Sequence, residues 1–318
     1  MTHVLKLIGR TPLAMLDRLA ARHGFANRRK VRIAAKCEFL NPGGSIKDRP
    51  ALGIIERAER AGELQKGRPV VELTSGNFGT GLAIVCGAKG YPFTAVMSRG
   101  NTPERARMMR GLGARVELVD QAPGATPMQV SGADLALVEK RTLELVAELD
   151  AFRANQFRDP GNVQAHRRTG AEIWRQTRGR VSHFCASIGS GGTFTGIARF
   201  LKEQNAAVRC VPLEPAGARV LAGETVTNPS HQIQGTGYAL VPPQYDPGLA
   251  DGFGGVTDAE ALDCARELAA VEGLFVGISS GANVAGALVL ARTAPPGSLI
   301  VTVLCDTGLK YLSTNLFP

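Results

Sequence analysis

With 318 residues the chain can form one large or two ordinary domains, and 44% hydrophobic against 20% charged residues is the balance of a soluble globular protein. Lys plus Arg exceed Asp plus Glu by 37 − 28 = 9, yet the basic residues are scattered and aromatics make up only 5%, so the stacking platform of a nucleic-acid binder is missing. The uncharged stretch Gly273 to Ala291 is long enough to raise a transmembrane question, but Ser279-Ser280-Gly281 and Asn283 at its centre read as a turn between a strand and a helix.

The opening M-T-H-V-L-K-L-I-G-R lacks the apolar run of a secretion signal, and Val31 to Phe39 then alternates as a strand. Asn41 to Arg49, N-P-G-G-S-I-K-D-R, follows, with Ser45 where an N-cap belongs and apolar residues at helical spacing from Ile46 to Leu64. Pro69 to Leu73 is a strand ending in Thr74-Ser75-Gly76-Asn77, then a helix runs to about Lys89. Phe93 to Met97 is a strand, Thr102-Pro103-Glu104 opens a helix, Arg115 to Val119 is a strand, and Gln121 to Ser131 is a Pro- and Gly-rich loop. Asp134 to Leu149 reads as a helix, Ala151 to Phe157 as a short strand, and a helix follows Asp159-Pro160-Gly161-Asn162 to about Gln176.

Phe184 to Ile188 is a buried strand, followed by Gly189-Ser190-Gly191-Gly192-Thr193 and a helix to about Glu203. Val208 to Leu213 is another strand, and Ala216 to Asp251 is irregular. Thr257 to Val271 is a helix with a capping box of Thr257 and Glu260. Leu274 to Ile278 reads as a strand, Ser280 to Arg292 as a helix and Leu299 to Cys305 as the last strand. Strands alternating with helices predict an α/β protein with a largely parallel sheet. The six cysteines are widely spaced with no C-x-x-C pair, as in reduced core thiols of a cytoplasmic protein.

Lys47 is the chemical centre of the first glycine-rich segment. In the first turn of a helix it sits at the positive end of the macrodipole, where a cation is least welcome and the neutral amine, a nucleophile toward aldehydes, is favoured. A surface lysine balanced by Asp48 is the plainer alternative. Three further turns each join a strand end to a helix start, where open α/β sheets bind ligands. Gly189 to Thr193 offers backbone N–H groups and two hydroxyls for a phosphate; it also begins a dinucleotide fingerprint, but Phe194 stands where the third glycine belongs. Thr74 to Gly79 supplies hydroxyls, an amide and a helix N-terminus suited to a carboxylate or a ring oxygen, or else an ordinary cap. Gly277 to Gly281 places two hydroxyls at a strand end, weak evidence by itself.

Together these turns outline a ligand with a phosphate, a ring hydroxyl, a ring nitrogen and an aldehyde, which is pyridoxal 5'-phosphate. The chain resembles the cysteine synthase (O-acetylserine sulfhydrylase) and cystathionine β-synthase family. The resemblance rests on N-P-G-G-S-I-K-D-R (41–49), T-S-G-N (74–77), Q-F (156–157), G-S-G-G-T (189–193), H-Q-I-Q-G (231–235), G-I-S-S-G-A (277–282) and D-T-G-x-x-Y-L-S-T (306–314). It implies a tryptophan synthase β-like, fold-type-II architecture of two three-layer α/β domains with mostly parallel sheets. The larger, cofactor-binding domain would comprise 1–40 and 153–318, and the smaller, mobile one 41–152.

The resemblance also assigns roles. Lys47 would hold the cofactor covalently and move protons, Asn77 would bond the ring hydroxyl, Gly189, Ser190, Gly191, Gly192 and Thr193 would cradle the phosphate, and Ser279 would face the pyridine nitrogen. Thr74, Ser75, Gly76, Phe78, Gln156, Arg219 and Gly235 would lie on the substrate side. The implied reaction is β-replacement on an activated L-serine, O-acetylserine plus sulfide giving cysteine in cysteine biosynthesis. O-phosphoserine or an amine nucleophile is the alternative, and a non-catalytic cofactor-binding subunit the alternative of another class. No metal is implied; the partners would be a small amino-acid substrate, a small nucleophile and a second copy in a cytoplasmic homodimer. Phe78 replaces a threonine usual in the family, R-D-P-G-N follows Q-F in place of N-P-A-N, Arg219 stands where a small polar residue is expected, and the loop 121–131 is long. These departures bear on the substrate and leave the chemistry standing.

Overall fold

The computed structural model describes residues 3–25, 30–124 and 130–317. Within them the chain forms two compact units, one of Met1–Ile8 and Lys47–Asn162, the other of Gly9–Ile46 and Val163–Pro318. The first unit takes in both the N-terminal segment and residues 153–162. The cause is packing: Leu5 and Ile8 lie against the core of the first unit, and Arg57 grips Asp159 through two hydrogen bonds of 2.9 and 2.7 Å.

The first unit is built on a four-stranded parallel sheet of β3 (Val70–Leu73), β4 (Phe93–Ser98), β5 (Arg115–Val119) and β6 (Phe152–Arg153), in the order β5-β4-β3-β6. Alternation along the strands sends Val70 and Ala95 to one face and Val71 and Val96 to the other, and both faces are apolar, as a doubly covered parallel sheet requires. The first face is covered by α2 (Asp48–Arg60), α3 (Asn77–Lys89) and α4 (Pro103–Gly111), the second by α5 (Gly132–Glu148).

The second unit has a six-stranded sheet with β1 (Leu13–Met15), β2 (Arg32–Cys37), β7 (His183–Ser187), β8 (Arg209–Pro215), β9 (Gly254–Val256) and β10 (Leu299–Leu304). Their order is β1-β2-β10-β7-β8-β9, and only β1 runs antiparallel to its neighbour. One face packs on α1 (Asp17–Arg22), α8 (Asp258–Glu267) and α9 (Ile278–Thr293), the other on α6 (Gly161–Thr177) and α7 (Gly192–Gln204). Two α/β units, each with helices on both faces of a mostly parallel sheet, are the predicted fold class.

Two local expectations change. Ser45 does not cap the Lys47 helix; it forms a β-bridge with Asp306, and the helix starts at Asp48 with Lys47 at the N-cap position and ends at Arg60. Leu274 to Ile278 is not a strand: only Val276 forms a bridge, to Thr307, because the chain leaves α8 through a π-helical turn, Leu268–Glu272, and enters α9 already at Ile278. Part of the loop 121–131 lies outside the described residues. Burial pushes the Cys86, Cys185, Cys210 and Cys264 thiols up to about 12 and Cys37 to about 11, so these cysteines are inert packing residues, and none of the six is in a disulfide.

Candidate active site

In the first unit, Lys47 and the Thr74–Gly79 turn are set by the contact of α2 with α3. Gly81 makes it possible: a Cβ there would lie 2.9 Å from the Lys47 carbonyl oxygen. Lys47 is half-buried, at the end of α2 where the helix dipole is positive, and no side chain caps that end. The turn leaves β3 and enters α3 with Gly76 as N-cap, again without a side-chain cap, so the first-turn N–H groups of α3 have no intrahelical acceptor. Thr74 is buried, while Ser75, Gly76 and Asn77 are half-buried. The Arg105 guanidinium on α4 donates to the Ser75 carbonyl at 3.4 Å.

Phe78 shares this turn, but its ring is 2% exposed and belongs to the apolar core of α2, α3 and β4. Only its backbone is left to the turn. Gln156 is tied to the same region by Glu72. The Glu72 carboxylate, on β3 two residues before Thr74, accepts the Asn155 N–H at 2.8 Å, and Asn162 Nδ2 donates to the Gln156 carbonyl at 2.8 Å. The Gln156 Oε1 position is buried with no hydrogen-bond partner among the described residues. A half-turn of the amide puts Nε2–H there, a donor matched to a carboxylate.

In the second unit, β7 ends in Gly189–Thr193, the phosphate loop expected from the sequence. Gly191 caps α7 at φ +86°, a left-handed conformation that glycine adopts without strain, and no side chain caps the helix. Its first-turn amides therefore lack an intrahelical acceptor, the geometry that suits an anion, with Ser190 and Thr193 in the same loop. Gly235 packs its carbonyl against Gly189, and the Gly237 N–H donates to the Ile188 carbonyl at 3.0 Å, so the H-Q-I-Q-G segment braces this loop. Phe194 is fully buried and stacks on Phe184 of β7, centroids 6.0 Å apart, filling the space that a dinucleotide fold keeps open with glycine.

Ser279 is buried in the first turn of α9. Its neighbour Ser280 serves the fold instead, its Oγ accepting the Cys305 N–H at 2.8 Å. One turn along, Asn283 pins α9 over β7 and β10, accepting the Ser187 N–H at 2.7 Å and donating to the Val303 carbonyl at 2.8 Å. Ser279 is thereby held at the same strand ends as the phosphate loop. The loop preceding Lys47 is fastened in this unit too: Gly44 is left-handed at φ +67°, and Lys310 donates to the Gly43 carbonyl at 2.8 Å.

Arg219, expected on the substrate side, lies in the segment that follows β8. Its guanidinium pairs with Glu224 at 2.7 Å and lies against Gly255 of β9, near the buried Glu214, whose carboxyl burial pushes up. Sequence reasoning passed over Glu72, Asn283 and His166, the last fully buried with Nε2 3.2 Å from Thr193 Oγ1. The signal available for Glu72 and Asn283 was their location in apolar stretches, where a polar side chain needs a partner; His166, between Gln164 and Arg167-Arg168, gave none.

The first unit carries a lysine at a helix start and a hydroxyl-rich turn at a strand end, and the second carries an uncapped glycine loop at a strand end, the parts expected from the sequence for a phosphorylated cofactor bearing an aldehyde. A profile of the pyridoxal-phosphate dependent enzyme family matches residues 4–306, and the chain belongs to that family. It is 41% identical over 317 residues to O-ureido-L-serine synthase of Streptomyces lavendulae, covering 99% of this chain and 92% of that one. It is 40% identical over 312 residues to cysteine synthase B of Salmonella typhimurium, covering 98% and 94%. The crystal structure of O-acetylserine sulfhydrylase isoform 3 from Entamoeba histolytica superposes with a TM-score of 0.91 at 33% identity, covering 100% and 92%. The chain is thus a pyridoxal-phosphate-dependent β-replacement enzyme of cysteine synthase type. Among the described residues no helix is long and apolar enough to cross a membrane, and no cluster of three His, Cys, Asp or Glu is placed to hold a metal ion.

Proposed function

We propose that the substrates are O-acetyl-L-serine and sulfide, giving L-cysteine and acetate. The observation that supports a neutral ester is Arg219, the one cation expected on the substrate side and so the group available to an anionic leaving group: its guanidinium is engaged by Glu224 and packed on β9. Glu214 and Glu224 answer its charge, which weakens the case for O-phosphoserine.

Pyridoxal phosphate, when bound, supplies an electron sink for the pair left at Cα when its proton departs, so that the β-substituent can leave. The chain's residues do the rest. Lys47 would hold the cofactor through its aldehyde, and its amine would move the Cα proton. The Thr74 and Ser75 hydroxyls, the N–H groups opening α3 and the Gln156 amide hold the α-carboxylate, and Asn77 bonds the ring oxygen. The loop 189–193 anchors the phosphate. Ser279 meets the ring nitrogen with a neutral hydroxyl, which leaves the sink weaker than a carboxylate would and suits loss of a good leaving group. The cysteines, none of them in a disulfide and five of them buried, fit a reducing cytoplasm, and a homodimer completes the reading.

A second reading keeps the donor and makes the nucleophile the hydroxyl of a urea-type compound, giving O-ureido-L-serine; the 41% identity to a synthase of that name supports it. The test is kcat/KM for O-acetyl-L-serine and O-phospho-L-serine against sulfide, hydroxyurea and a simple amine. O-acetyl-L-serine with sulfide should lead. Preference for hydroxyurea selects the second reading, and preference for the phosphorylated donor overturns both.

A further inference from the structure

Helices α6 and α7 touch through backbone. Gly196 has no Cβ because one would lie 2.5 Å from the Val163 carbonyl oxygen and 2.6 Å from His166 Cβ. This contact pins His166 inside the unit with its ring beside the first turn of α7, and each ring nitrogen meets a hydroxyl: Nε2 lies 3.2 Å from Thr193 Oγ1, and Nδ1 lies 3.3 Å from Thr169 Oγ1.

A hydroxyl has one hydrogen to give. If Thr193 gave it to His166, a lone pair would face any anion bound in the loop. If Thr193 receives a hydrogen from Nε2, its own is free for a phosphate oxygen. We propose that His166 is a positioning residue of the phosphate cradle: with its hydrogen on Nε2 it aims the Thr193 hydroxyl at the phosphate, while Thr169 donates to the bare Nδ1 and fixes that tautomer. The direction of the chain is Thr169 to His166 to Thr193 to the anion. It rests on the reading that loop 189–193 holds the cofactor phosphate.

The test compares pyridoxal phosphate with pyridoxal, which keeps the aldehyde for Lys47 and lacks the phosphate. Affinities are measured by fluorescence on the resolved and reloaded full chain. His166→Leu should weaken pyridoxal phosphate about tenfold, the effect of losing one hydrogen bond to a charged group, and leave pyridoxal unchanged. His166→Gln, which keeps an N–H at similar reach, should recover most of the loss, and Thr169→Val should show part of it. In the holoenzyme with ¹⁵N-histidine, the His166 signals should show hydrogen on Nε2 and none on Nδ1, a readout that stands even if His166→Leu fails to fold. Equal weakening of both ligands, or a hydrogen on Nδ1 alone, overturns the proposal. Thr193→Val separates the layers. If it leaves the ratio of the two affinities untouched, the cradle reading itself fails. If it changes the ratio and His166→Leu does not, the cradle stands and the role of His166 falls.

Discussion

A methyl group on Gly81 tests how closely α3 sets the position of Lys47. The added Cβ would lie 2.9 Å from the Lys47 carbonyl oxygen and 3.1 Å from both Asp48 Cα and Ala51 Cβ. Carbon atoms prefer about 3.5–4.0 Å, so the start of α2 must retreat by a few tenths of an ångström. Overpacking of this kind costs about 1–3 kcal/mol, while replacing a helical glycine with alanine contributes about 1 kcal/mol in favour of the variant. The two terms leave Gly81→Ala between neutral and about 2 kcal/mol less stable. The effect on catalysis should be clearer. If a 1 Å misplacement costs about a hundredfold, a shift of a few tenths lowers kcat roughly three- to tenfold. Gly87→Ala on the same helix is the control, since its nearest foreign atom, the Leu112 carbonyl oxygen, is 3.7 Å away, and it should gain stability at full activity. Thermal unfolding and kcat are measured for both variants. A Gly81→Ala protein stabilised like Gly87→Ala, with unchanged kcat, would refute the argument that this contact positions Lys47.

Three further outcomes follow from the same structure. Burial raises the Glu72 carboxyl to about 8, against the pull of Arg153 and with Glu139 adding to the shift, so the folded state favours its protonated form. Its contribution to stability is full below the ordinary carboxyl range and is lost as pH rises through about 8; Tm between pH 5 and 9 should fall more steeply in the wild type than in Glu72→Gln, and parallel profiles would count against this. Phe78→Ala should cost about 3–5 kcal/mol in denaturant unfolding, and Phe78→Thr should change kcat/KM by one common factor for every donor and nucleophile; a selective change would return the ring to the substrate site. Ser280→Ala strips the part-buried Cys305 N–H of its Oγ acceptor and should cost about 1–3 kcal/mol, whereas Ser279→Ala should spare stability and alter the cofactor's absorbance.

The sequence carried the α/β class because strand patterns are short-range: the buried run Phe93–Ser98 and the alternating edge strand Arg115–Val119 stand within a residue of where the pattern put them. The Thr257–Glu260 capping box was legible for a similar reason, since both partners lie within one turn. The three-residue strands Leu13–Met15 and Gly254–Val256 are too short to show a period. Ser45 resembled a cap because local pattern cannot see Asp306 far along the chain. The glycine turns of the site were visible as composition. The direction of a side chain was not: Phe78 turns into the core and Arg219 toward Glu224, outcomes set by helix phase and by distant partners. His166 was hidden because its partner Thr193 lies on another helix.

The central claim is that Lys47 carries the cofactor, and peptide mapping after borohydride reduction tests it most directly. The full chain with pyridoxal phosphate bound is reduced, digested and analysed by mass spectrometry. The cofactor's mass should fall on the peptide containing Lys47, and Lys47→Ala should show neither that adduct nor turnover. A cofactor fixed on another lysine, such as Lys36, which is fully buried against Glu172, or a Lys47→Ala protein that still turns over normally, would contradict the account.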